Sequence, residues 1–192
     1  MIKKLLISFV MMISMCVPAH AEYNVDEYFT YAVDEFTGHT TYFTKSYDNP
    51  VEYVAACIHF QKDFSTNDNV MFVPFVHSLD DEPFFSLNII LESEDAVLAE
   101  TIYLKTDTSV IEVPYNFFDI DYSIELNDIG VYSIEKYMLF SGRDFTKQNI
   151  EDLLNTSSLK IKVGSHVTVV SEDMLKVIKK FVDLYNYLEL AK

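Results

Sequence analysis

Ile120-Asp121-Tyr122-Ser123-Ile124-Glu125-Leu126 alternates apolar and polar residues without a break. Successive side chains of an extended chain point to opposite faces. Ile120, Tyr122, Ile124 and Leu126 therefore share one face, and Asp121, Ser123 and Glu125 share the other. A strand of this kind is expected to be half-buried, with its apolar face on a core. The pattern recurs upstream, where Phe85, Leu87, Ile89 and Leu91 form an inward face opposed by Ser86, Asn88 and Glu92. Thr101 to Lys105 and Val110 to Tyr115 read as two strands joined by a Thr106-Asp107-Thr108 turn. Asn127-Asp128-Ile129-Gly130 is a turn into a strand over Val131 to Phe140, and His39 to Tyr47 and Tyr53 to Gln61 are further expected strands. Pro74 and Pro114 interrupt apolar runs, which places sheet edges or bulges there, because proline cannot donate to a ladder.

The pattern changes after Ser141. Thr146 is suited to cap a short helix near 146–155, in which Ile150, Leu153 and Leu154 follow helical spacing. Leu159 to Val163, Gly164-Ser165 and His166 to Val170 read as a hairpin with a two-residue loop. Ser171 then caps an amphipathic helix over 172–190, with Glu172 and Asp173 at the positive end of its dipole. Its apolar stripe is Met174, Ile178, Phe181, Tyr185 and Leu188, widened by Leu175 and Val182; Lys176, Lys179 and Lys180 mark the wet side. The expected fold is α+β: a mostly antiparallel sheet, sandwich-like or strongly curved, with the C-terminal helix covering one face. No repeat, low-complexity tract or linker divides residues 22–192, so a single domain is expected.

The first 21 residues have a different character. Lys3 and Lys4 precede an apolar run from Leu5 to Met15, and Pro18 and Ala19-His20-Ala21 follow it. That order is the pattern of a cleavable secretory signal peptide, and the run is shorter than the roughly 20 residues a membrane span needs. The expectation is an exported protein, periplasmic or secreted, with no stable membrane insertion after cleavage. Removing Lys3 and Lys4 from 14 basic residues leaves 12 against 30 acidic ones, a net charge of −18. Only Cys57 would then remain, in the apolar run VAACIHF, so no internal disulfide is available and a buried, structural thiol is expected.

This charge excludes a nucleic-acid binder, because phosphate recognition needs clustered basic residues and the lysines are scattered. The zinc-protease helix motif, the nucleophile elbow, the phosphate-binding glycine loop and the C-x-x-C pair are all missing. The leading expectation is a non-catalytic binding protein that meets a protein or small ligand in the cell envelope. Its alternatives are a small carboxylate-dependent hydrolase and an acidic inhibitor or immunity-like protein. Tyr28, Tyr31, Phe36 and Tyr42 are the candidate binding residues, drawn from an aromatic-rich segment, since Tyr is enriched at interfaces. No cofactor is expected. Asp119, Asp121 and Glu125 are the candidate ligands should Ca²⁺ bind, as oxygen donors from one strand face, although their spacing is not that of an EF-hand loop.

Overall fold

A computed structural model of the chain describes residues 25–48, 52–53, 69–116, 119–127 and 130–191. A short helix, α1 (Val25–Tyr28), leads directly into β1 (Phe29–Val33). There follow β2 (Thr40–Thr44), β3 (Asn69–Leu79), β4 (Glu82–Ser93), β5 (Thr101–Lys105), β6 (Val110–Pro114), β7 (Asp121–Asn127) and β8 (Gly130–Phe140). The chain ends with α2 (Lys147–Asn155), β9 (Lys160–Val163), β10 (His166–Val169) and α3 (Glu172–Leu190). The strands form two antiparallel sheets, one of six strands in the order β1-β2-β3-β4-β8-β7 and one of four in the order β10-β9-β5-β6. This is an α+β fold, with its strands in two open sheets.

Alternation fixes which face each strand buries. Phe85, Leu87, Ile89 and Leu91 of β4 are fully buried, and their register partners Phe72 on β3 and Tyr137 and Leu139 on β8 are buried with them. In the small sheet, Ile102, Leu104, Ile111, Val113, Ile161 and Val163 turn inward and join the same core. α2 and α3 start at the expected caps: Thr146 accepts from Asn149 N and Ser171 from Met174 N. α3 lies against β3 and β4. Its Phe181 meets Phe29 edge-on at 4.9 Å and Tyr53 at 5.7 Å.

The structure departs from the expected pattern in four places. First, Ser86 and Asn88 are buried as well as their apolar neighbours, because β4 is a central strand screened on both faces. Second, β7 is a sheet edge among the described residues, and the middle of its expected core face is open: Tyr122 is 40% exposed and Ile124 64%, whereas Ile120, just before the strand, packs on the core. Third, Leu184 is fully buried in α3, whereas the expected stripe passed through Tyr185, which is only half-buried. Fourth, Tyr53 is helical rather than the start of a strand, while residues 54–61 of that expected strand, Cys57 among them, lie outside the described residues.

The prolines sit where their missing N–H costs little. Among the described residues β2 meets β3 only at Val76–Ser78, so Pro74 lies where β3 has one described strand neighbour, and its carbonyl accepts a bond from the Tyr53 hydroxyl. Pro114 ends β6, an edge strand. Among the described residues no helix is long and apolar enough to cross a membrane.

Candidate interaction site

The β1–β2 hairpin closes on a turn that organises itself. Asp34 Oδ1 accepts from Phe36 N at 2.8 Å and Thr37 N at 3.0 Å, which holds the Asp34 carboxyl below the ordinary carboxylate range. Gly38 N donates to Asp34 O, and Asp34 N donates to His39 O. Gly38 takes φ +72°, a left-handed conformation that favours glycine. With its backbone needs met inside the turn, the side chain at the tip is free of structural duty. That side chain is Phe36, which is 99% exposed.

Tyr31 and Tyr42 are register partners on β1 and β2, with rings 5.9 Å apart, and Tyr31 is 59% exposed. Val33, which the sequence reading passed over, is 50% exposed and follows Tyr31 on the same face of β1. Tyr28 sits at the far end of β1, where Lys180 of α3 lies 4.3 Å from its ring centre. Three of the four expected binding residues thus belong to one hairpin, Phe36 at its tip, while Tyr28 is engaged with the helix. β1 is also the terminal strand of its sheet among the described residues, so its outer edge faces away from any strand neighbour.

Two of the three acidic candidates, Asp119 and Asp121, have described side chains. Asp119 precedes β7 and lines an open cavity of about 670 Å³ with Glu100, Tyr115, Arg143 and Asp144. Asp121 is exposed on β7 opposite Lys136, and the Glu125 side chain lies outside those described. Among the described residues no three His, Cys, Asp or Glu side chains group as metal ligands. Two of the cavity's four charges, Arg143 and Asp144, are engaged with each other. Arg143 Nε donates to both Asp144 oxygens, its Nη2 donates to Met138 O, and Asp144 also accepts from Phe140 N.

Comparison with known proteins adds nothing to this geometry: no family model, no curated protein and no solved structure matches the chain.

Two polar nodes lie apart from these candidates, one buried and one half-buried. Glu135 of β8 has no exposed surface, and its carboxylate accepts from Val97 N at 2.5 Å and Leu98 N at 2.9 Å. The Tyr137 hydroxyl donates to it and itself accepts from Ala99 N. Burial, and then the Glu135 carboxylate, push the Tyr137 phenol well above its ordinary range. Together they hold the 94–99 link that joins the large sheet to the small one, with Leu98 at φ +44°. Gly164, in the β9–β10 turn, closes against the same link: a Cβ there would come 2.2 Å from Val97 Cγ1. A signal for Glu135 existed, since Ser133, Glu135, Tyr137 and Leu139 share one parity, and the last two are plainly core residues.

The second node is His77. Its Nδ1 pairs with Thr41 Oγ1 at 3.2 Å and its Nε2 with Ser86 Oγ at 3.1 Å. The His39 and Phe84 rings lie 5.0 and 4.9 Å from it. Burial, reinforced by His39, lowers His77 to about 4. Both nodes serve the fold, because each of their polar atoms is spent on the protein itself.

Proposed function

We propose that this chain is a non-catalytic interaction protein of the bacterial cell envelope, exported by its 21-residue leader, and that the β1–β2 hairpin is the surface it offers to a partner. One observation carries the reading. Phe36 stands 99% exposed on a turn held by hydrogen bonds to Asp34, beside Tyr31 and Val33 on a strand that ends its sheet among the described residues. A wholly exposed aromatic side chain gains nothing for folding, whereas on a rigid turn it makes an interface anchor at little entropic cost. An open strand edge adds main-chain donors and acceptors to which an extended segment can pair.

The test uses the chain beginning at Glu22 as bait on the envelope fraction, with and without a chelator. Phe36→Ala combined with Tyr31→Ala is expected to abolish capture of the partner and to leave the melting temperature within about 2 °C, since exposed side chains contribute little to stability. Full capture by the double variant would remove the hairpin from the reading. The mass of the protein recovered from the envelope tests export independently, with cleavage expected after Ala21. The hydrolase alternative rests on the open cavity, which Glu100 and Asp119 line with Arg143 and Asp144. The inhibitor alternative rests on the net charge alone.

A further inference from the structure

The outward face of the small sheet runs against the charge of the rest of the molecule. Two rows of side chains cross it in register. One row is Val110, Lys105, Lys160 and Val169, and the other is Glu112, Tyr103, Lys162 and Val167. Val110, Val167 and Val169 are 58%, 62% and 50% exposed, and the three lysines are exposed with them. Lys162 reaches over Tyr103, its Nζ 5.6 Å from the ring centre. A chain with 30 acidic and 14 basic residues has thus gathered three lysines and three valines on one four-stranded face, with a single acid, Glu112, in the same two rows.

The pairing of Lys105 with Lys160 is the informative detail. They are direct cross-strand partners, an arrangement in which like charges destabilise a sheet. Among the described residues no ion pair engages either of them. Nothing in the fold requires two lysines there, because both point away from the core. We propose that this face docks an acidic segment of a partner protein, whose carboxylates sit between Lys105, Lys160 and Lys162 and whose apolar side chains cover Val110, Val167 and Val169. The exposed valines argue for a protein partner rather than a simple polyanion, which would leave them wet. The net charge of −16 argues against an anionic membrane. This face lies on the small sheet and does not depend on the hairpin of the large one.

The probe is a synthetic peptide of about twelve residues alternating Glu with Val and Tyr, titrated into the chain from Glu22 and followed by NMR amide shifts. A Glu/Ser peptide of equal charge and vesicles of mixed phosphatidylglycerol and phosphatidylcholine are the comparison arms. Binding of the first peptide is expected to perturb amides of β5, β9 and β10, to weaken at least tenfold in Lys160→Glu, and to weaken steeply between 50 and 500 mM salt, values of about the range over which exposed charges become screened. Lys160→Glu also places opposite charges across the strands, so its melting temperature is expected to rise by about 1–3 °C, which separates lost binding from lost folding. Equal binding by the parent and Lys160→Glu overturns the proposal. So does equal binding of the Glu/Ser peptide, or retention on vesicles without binding of the peptide.

Discussion

His77 couples the stability of the hairpin side of the large sheet to pH. The unfolded chain takes up a proton at this ring near the ordinary histidine value of 6.5, whereas the folded chain refuses it until about pH 4. Between those values the unfolded state holds more protons, so stability falls as pH drops from 6.5 towards 4 and is unaffected by this group above 6.5. The whole window is worth on the order of 1–3 kcal/mol for a half-buried ring. The check is the urea midpoint of the parent and of His77→Asn at pH 7 and pH 5. The loss of stability on acidification is expected to be smaller in the variant, and an identical loss would remove His77 from the account. Glu135 makes a different point at the same scale. Its burial followed from strand parity, yet parity could not name its partners. The backbone amides of Val97 and Leu98 lie some forty positions away in sequence and come to it only when the two sheets are joined. The same holds for the Asp107 carboxylate, held far below its ordinary range first by the Ser158 hydroxyl and next by Ser157 N.

At the scale of elements, local rules located much and ranked it poorly. Thr146 and Ser171 were legible as caps because capping is decided within four residues. The hairpins β5–β6 and β9–β10 were legible because alternation and a short turn suffice. The strand with the cleanest alternation, β7, is a sheet edge among the described residues, with Tyr122 and Ile124 exposed, while the less regular β4 lies inside its sheet. Period 2 reports that a residue faces one side; it does not report whether another layer covers that side. A direct consequence is that Ile124→Lys is expected to change the unfolding free energy by no more than about 0.5 kcal/mol, whereas Ile89→Ala is expected to cost about 2–5 kcal/mol. Chemical unfolding of both variants distinguishes this arrangement from one in which Ile124 packs inside. The candidate site was half legible for a related reason. Composition pointed to the aromatic stretch from Glu22 to Asp48, but only the Asp34-centred turn shows why Phe36 is left standing in water.

For the molecule as a whole, the strand content was readable from alternation, but its division into two sheets was not. The sheets are joined through the 94–99 link, whose only sequence signs are Glu94, Asp95 and a few small residues. They are fastened a second time by Glu135 and by Gly164 against Val97, contacts with no local signature. That division leaves β1, β7, β6 and β10 at the ends of their sheets among the described residues, with Tyr31, Val33, Ile124, Val110, Val167 and Val169 exposed on or beside them. Four open edges are a colloidal hazard, because each is a template for another chain. Mutual repulsion between copies offsets that hazard while the chain carries many unbalanced carboxylates. The sequence isoelectric point is about 4.5, so in mildly acidic medium the repulsion vanishes while the edges remain. Light scattering at about 1 mg/mL is expected to stay flat from pH 8 to about pH 6 and to climb as pH approaches 4.5, with the aggregates reopening on return to neutral pH. A solution that stays clear through pH 4.5 would mean that the edges are protected by something other than charge. The acidity of this chain then reads as a preservative for an unfinished sheet, and any compartment that acidifies sets the limit on how much of it can remain dispersed.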